Sequence, residues 1–142
     1  MLRAYKYRIF PDEVQKALLS VIFGQIRFVY NLALETKITA YTGQKKNIDC
    51  FDLMKQIKEL KDTDCPWLSD SPAQALQMAI RNLDNAYTNF FKGRAKFPKF
   101  KSKHGRQSFQ LPQRVHLNKN NSKQIHIPKL KYVYIDLHQE LK

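Results

Sequence analysis

Acidic side chains are absent from the whole interval between Asn85 and Ile135, although the chain has 12 of them elsewhere. Cysteine is scarce as well. Cys50 and Cys65 stand alone, with no CxxC pair and no Cys/His cluster beside them, which excludes a zinc ribbon and a disulfide framework and predicts two reduced, structural thiols. No uninterrupted apolar run approaches twenty residues, and Met1 to Phe10 is threaded with basic residues and has no signal-peptide core. The expectation is a soluble, cytoplasmic protein with no membrane partner. At 43% hydrophobic and 12% aromatic content the 142 residues are not a disordered tail, and they suffice for one cored domain or two small ones.

What fills the acid-free interval is positive charge. Lys92, Arg94, Lys96, Lys99, Lys101, Lys103, Arg106, Arg114, Lys119, Lys123, Lys129 and Lys131 all fall in it, whereas residues 1–84 carry a net charge of only +2 out of the chain total of +13. Such a block repels itself in a compact fold unless a polyanion neutralises it, and a phosphate backbone is the commonest one. A merely solubilising loop would carry the same cations. Phe90, Phe91, Phe97, Phe100, Phe109, Tyr132 and Tyr134 run through the same stretch, and such rings either stack on bases or pack a local core. Core packing is the expected role for most of them.

Along the chain, rough alternation predicts a strand over Leu2 to Phe10. Pro11, Asp12 and Glu13 open a helix carrying Val14, Leu18 and Ile22 on one stripe, with Gly24 as its expected stop. Ile26, Val29, Tyr30, Ala33, Leu34, Lys37 and Tyr41 predict a second helix ending at Thr42 and Gly43. The pair resembles a helix-turn-helix, with an ordinary helical hairpin as the blander reading. A third helix is expected from Phe51 to Lys61, then an apolar plug at Cys65, Pro66, Trp67 and Leu68. Ser71 is the expected cap, and Pro72 the first residue, of a fourth helix with Leu76, Ile80, Leu83, Tyr87 and Phe90 on its stripe and Gly93 at its end. Beyond Gly93, Pro98, Pro112 and Pro128 punctuate β-leaning pieces: Ser108 to Leu111, Val115 to Leu117, Gln124 to Ile127 and Tyr132 to Leu137, with Asn118 to Ser122 as a hairpin turn. A lone first strand needs partners, and only the C-terminal region supplies them. The expectation is therefore α+β: a small β-barrel closed by the two ends of the chain, interrupted by a helical insertion. Its boundaries are residues 1–10 for the first strand, 11–93 for the four-helix lobe, and 94–142 for a basic connector and the remaining strands.

Six strings, in order, carry a family resemblance: Tyr5-Lys6-Tyr7-Arg8-Ile9-Phe10-Pro11, Arg27-Phe28-Val29-Tyr30-Asn31, Trp67-Leu68 followed by Ala75-Leu76-Gln77, Asn89-Phe90-Phe91-Lys92-Gly93-Arg94, Phe97-Pro98-Lys99-Phe100-Lys101, and Ile127-Pro128-Lys129-Leu130. Together they resemble the OrfB/TnpB proteins of bacterial insertion sequences, which are RNA-guided DNA nucleases. The resemblance implies an OB-like wedge barrel with an inserted recognition lobe, and guide RNA and DNA as partners. By position it puts Gln74 and Gln77 where the family reads a motif flanking its target, and a Gln amide can bridge adenine. Both could equally be plain surface residues. Arg8, Lys92, Arg94, Lys96, Lys99, Lys101, Lys103 and Arg106 would hold phosphates, with Arg81 beside Gln77 on the same helix.

The family's RuvC-like nuclease domain, whose acidic triad holds the catalytic metals, finds no counterpart before Lys142. Asp136 and Glu140 are lone acids, and Asp62, Asp64 and Asp70 fall on an expected loop. Two-metal cleavage needs carboxylates converging on ions about 3.5–4 Å apart. His104, His116, His126 and His138 are scattered. The expectation is a truncated form that is not an enzyme and has no cofactor or metal, whether a remnant or the recognition half of a split frame with a separately encoded RuvC-like partner. The competing reading is a transposase-type helix-turn-helix module of an insertion sequence, with Arg27 and Asn31 reading bases.

Overall fold

A computed structural model gives the fold and describes residues 8–103, 109, 111, 116–118 and 121–136. The chain divides into two compact units: residues 1–20 with 112–142, and residues 21–111.

The first unit is built on a four-stranded antiparallel sheet in the order β1-β4-β3-β2, from β1 (Arg8–Phe10), β2 (His116–Asn118), β3 (Asn121–Ile127) and β4 (Lys131–Asp136). The N-terminal strand finds its partner in the C-terminal one, with Ile9 facing Ile135 and Phe10 facing Tyr134. Ile125, Ile127 and Val133 turn to the buried face, where Leu19 and Leu130 join them. The β3–β4 turn places Pro128 second and Lys129 third, closed by Leu130 N–H donating to Ile127 C=O at 3.0 Å. Lys129 has φ +73°, the left-handed value such a turn requires at that position.

Asp12 and Gln15 form a reciprocal capping box at the start of α1 (Glu13–Gln44). Asp12 Oδ1 accepts from Gln15 N–H at 2.8 Å, and Gln15 Oε1 accepts from Asp12 N–H at 2.9 Å. The same glutamine's Nε2 donates to the carbonyl of Tyr132 at 2.6 Å, which fastens the helix start to β4.

The second unit holds the rest of α1 with α2 (Cys50–Asp62), a 3-10 turn (Pro66–Asp70) and α3 (Ala73–Phe91). Ile22, Val29, Leu34, Leu53, Leu68, Leu76, Ile80 and Leu83 are almost wholly buried and form its core. Asp49 caps α2 by accepting from Asp52 N–H at 2.8 Å. Helix α1 is long and apolar enough to cross a membrane by length and composition alone. Burial of Ile22, Ile26, Val29, Tyr30, Ala33 and Leu34 accounts for that apolarity as one wall of this core.

Four expectations are corrected. Gly24 does not stop a helix: residues 13–44 are one unbroken helix, so the lobe has three α-helices and a 3-10 turn, and no turn separates two helices at residue 24. An interior glycine costs a helix about 1 kcal/mol. Burying Ile22, Ile26 and Val29 returns about 1.5–3 kcal/mol each, so continuity wins. Gly43 is not the stop either, because the left-handed residue is Lys45, at φ +50°.

Ser71 does not cap α3. Its hydroxyl instead donates to Gln25 Oε1 at 2.5 Å, and Gln25 Nε2 donates to Trp67 C=O at 2.8 Å, a buried polar link between α1 and the loop before α3.

Finally, the sheet is not closed into a barrel. Among the described residues β1 and β2 are its two edges, and four strands of three to seven residues are too few to close. The expected strand at Ser108 to Leu111 and the centre of the expected turn at Asn118 to Ser122 lie partly outside the described residues. Of that first segment, Phe109 and Leu111 are described and are not in a strand.

Candidate nucleic-acid interface

Helix α3 ends in a way that fixes where the basic segment starts. Gly93, at φ +73°, donates its N–H to Phe90 C=O at 3.0 Å, and Arg94 N–H donates to Asn89 C=O at 2.8 Å. That pair of hydrogen bonds is the Schellman arrangement, which satisfies the last carbonyls of the helix and turns the chain sharply.

Residues 94–103 then run without helix or strand, yet they are fastened at two points. Phe97 sets its ring edge-on against Tyr87 at 5.3 Å and Phe90 at 5.2 Å between centroids. Four residues later Asn31 on α1 grips the main chain of Lys101, its Oδ1 accepting from Lys101 N–H at 2.7 Å and its Nδ2 donating to Lys101 C=O at 3.0 Å. The Lys101 ammonium lies 4.6 Å from the centroid of the Tyr30 ring, within cation–π range. Further on, Phe109 meets Phe23 edge-on at 5.5 Å. Phe97 and Phe109 thus anchor the segment, but the expectation of core packing for most of these rings is corrected: Phe91, Phe97, Phe100, Tyr132 and Tyr134 are all exposed.

Between the anchors the cations face water. Lys92, Arg94, Lys96, Lys99, Lys101 and Lys103 are all exposed, and no acid stands within the ribbon to neutralise them. A row of cations on an anchored backbone can engage successive phosphates without reading sequence.

On α3, Gln74, Gln77 and Arg81 follow one another at spacings of three and four, off the buried stripe of Leu76, Ile80 and Leu83. Gln77 and Arg81 are exposed and Gln74 is half-buried. Arg27 is half-buried on α1, one turn before Asn31, and its Nη1 is enclosed without a hydrogen-bond partner. Asn31 itself is committed to Lys101, so the structure brings these two nominated residues together in a structural clamp. Arg8 is exposed on β1, in the first unit, and Arg106 lies outside the described residues.

Reasoning from sequence missed Lys37. It is buried, donates from Nζ to Ile48 C=O at 2.5 Å, and rests over the Tyr87 ring at 4.8 Å. Its place in an otherwise apolar stripe was the available signal. Burial raises the pKa of the Tyr30 phenol above its ordinary 10.0, and burial followed by the charge of Tyr30 raises that of Tyr87. Among the described residues no group of three or more His, Cys, Asp or Glu is placed to hold a metal ion. The described arrangement presents cations that can meet a polyanion.

Comparison with known proteins finds a family and relatives for the chain. A family model described as a helix-turn-helix domain, of the OrfB type of IS605 elements, matches residues 1–46. In this chain the described part of that segment is β1 followed by the unbroken α1. InsQ of Escherichia coli (strain K12), named for RNA-guided DNA endonuclease activity, is 37% identical over 130 residues, which is 91% of this chain and 32% of InsQ. A Streptomyces pristinaespiralis protein named for the same activity is 39% identical over 102 residues, 71% of this chain and 25% of its own length. The virulence protein VsdF of Salmonella dublin is 38% identical over 116 residues, covering 75% of this chain and 98% of VsdF. The chain therefore spans a third or less of the first two relatives and nearly all of the third.

Proposed function

This chain belongs to the OrfB/TnpB family of insertion-sequence proteins, and from that premise we propose that it is the part of such a protein that grips nucleic acid, guide RNA and target-flanking DNA, and that it does not itself cleave. The observation that carries the proposal is the anchored ribbon of residues 92–103, whose backbone is tied down at Phe97 and Lys101 while its cations stay in water. Lys92, Arg94, Lys96, Lys99 and Lys103 contact phosphates in this reading, and Arg8 and Arg106 add to them. Gln77, helped by Gln74 and Arg81, reads the motif beside the target. The protein works in the cytoplasm, and a RuvC-like nuclease region supplies the acidic metal site.

The test is the salt dependence of binding. With five to seven phosphates engaged, log affinity for structured RNA or duplex DNA falls against log salt with a slope of about −4 to −6, and a slope near zero overturns the proposal. Lys99→Gln should weaken binding evenly over all sequences and lower the slope by about one, whereas Gln77→Ala should flatten sequence preference at one position. Cleavage of labelled DNA or RNA by the purified chain in Mg²⁺ or Mn²⁺ would contradict the non-catalytic part.

A transposase-type reading, favoured by the description of the matched family model, has α1 enter a major groove. It requires Arg27→Ala and Asn31→Ala to abolish sequence preference. Since the Asn31 amide is occupied by Lys101, base reading by it also requires the ribbon to lift away.

A further inference from the structure

We propose that the solvent face of the four-stranded sheet stacks unpaired bases of a single-stranded polynucleotide, a second contact surface in the first unit that rests on the nucleic-acid-binding reading and extends it to residues outside the basic ribbon.

Cross-strand register defines the face. Phe10 of β1 lies opposite Tyr134 of β4, Tyr134 lies opposite Gln124 of β3, and Tyr132 lies opposite His126. Because side chains alternate along a strand and directly opposed residues share a side, Phe10, Tyr134, Tyr132, Gln124 and His126 all belong to one face. The other face takes Ile125, Ile127 and Val133, each at most 5% exposed. Every aliphatic side chain described on these strands is thus used on the inner side or at its margin. The outer side shows water three aromatic rings, with Phe10 and Tyr134 51% exposed and Tyr132 41%. Arg8, two residues before Phe10, is exposed as well.

Spacing and chemistry suit separated bases. Directly opposed residues have Cβ atoms about 4.5–5.5 Å apart, and residues two apart on a strand about 7 Å, so the three rings form a platform for two or three splayed bases. Gln124 and His126, both half-buried, lie beside the rings, with His126 edge-on to Tyr132 at 5.3 Å. Arg8 is opposed in register by Asp136, so the attraction for the phosphate that follows a stacked base rests on the chain's net charge of +13. Rings beside an arginine also mark protein interfaces, so a second copy of the chain is the occupant that the test must separate from a polynucleotide. A duplex keeps its base faces stacked on each other, so only unpaired bases offer them to the rings. RNA and DNA share that chemistry.

The test uses the full chain and fluorescein-labelled 12-nucleotide RNA, DNA of the same sequence, and the matching DNA duplex, by anisotropy near physiological salt. Phe10→Ala and Tyr134→Ala should each weaken single-strand binding roughly tenfold while leaving duplex affinity and its salt slope unchanged, and Tyr134→Phe should bind like the parent. Stronger binding of the RNA than of the DNA oligonucleotide assigns the face to RNA, and the reverse assigns it to displaced DNA. Photocrosslinking of 4-thiouridine RNA to the unmodified protein supplies a reading independent of any variant's folding, with peptides containing Phe10, Tyr132 or Tyr134 expected. Alanine variants that melt like the parent and bind single strands equally well, or crosslinks confined to residues 92–103, overturn this inference and leave the ribbon's role intact. Failure of every polynucleotide to bind overturns both. Concentration-dependent self-association lost in Tyr134→Ala would give the face to a second copy of the chain and overturn the stacking role.

Discussion

Asn31 holds the main chain of Lys101 with both ends of its amide, at 2.7 and 3.0 Å across seventy positions of sequence. No other amino acid of that length both accepts and donates in this way. Asn31→Ala should therefore release the ribbon at a cost of about 1–2 kcal/mol, and Asn31→Asp, which turns a carboxylate oxygen toward the Lys101 carbonyl, should not restore the clamp. Hydrogen exchange at the Lys101 amide reports it directly: protection should vanish in the alanine variant. Affinity for duplex DNA should fall through a faster off-rate, with the salt slope kept, since the cations remain.

Two glycines should respond oppositely to alanine. Gly24 is helical, and an added Cβ meets only Arg27 Nη2 at 3.6 Å, so Gly24→Ala should stabilise by about 0.5–1 kcal/mol. Gly93 has open space around its Cβ position but a φ of +73°, so Gly93→Ala should destabilise by about 1–2 kcal/mol through the backbone alone. Chemical denaturation of both variants checks the sign of each change.

Removing the Ser71 hydroxyl leaves Gln25 Oε1 buried without its donor, so Ser71→Ala should cost about 1–3 kcal/mol. Gln25→Ala should cost about 2–4 kcal/mol, since it also strands the Trp67 carbonyl and opens a void. Because the two residues share one bond, the double variant should lose less than the two single losses added together.

The phenols of Tyr30 and Tyr87 are both held above 10.0, chiefly by burial. A group that binds its proton more tightly when folded contributes stability fully below its unfolded pKa and loses it as pH rises through the folded one. Melting temperature should therefore be insensitive to these phenols below pH 10 and fall above it. Tyr30→Phe and Tyr87→Phe should each make that alkaline fall shallower; an unchanged slope in both would refute the assignment.

Helices α2 and α3 were legible in the sequence because Leu53 and Ile57, and Leu76, Ile80 and Leu83, repeat at the helical period and were free to follow it. The pairing of β1 with the C-terminal strands was legible from the need of a lone strand for a partner. Gly24 misled because its local cost was visible whereas the burial that overrides it depends on α2 and α3 being in place. Ser71 misled for a related reason: a serine ahead of a proline reads as a cap, and its true acceptor lies 46 positions away. The ribbon's charge was plain in composition, but its fastening by Asn31 was not, since a contact across seventy residues leaves no periodic trace. The exposed sheet face needed the register, which turns a list of aromatics into rings on one side.

That β1 and β4, the first and last described strands, lie side by side in one sheet has a consequence for biosynthesis. A ribosome finishes residues 21–111 well before β4 leaves it, so the helical unit can fold while β1 waits with its hydrogen-bonding edge bare. Joining Ile9 to Ile135 closes a loop that takes in nearly all of the described residues, and that closure is the slow step expected of folding. A message cut short before codon 131 would yield a helical unit with a dangling, adhesive leader in place of a finished sheet.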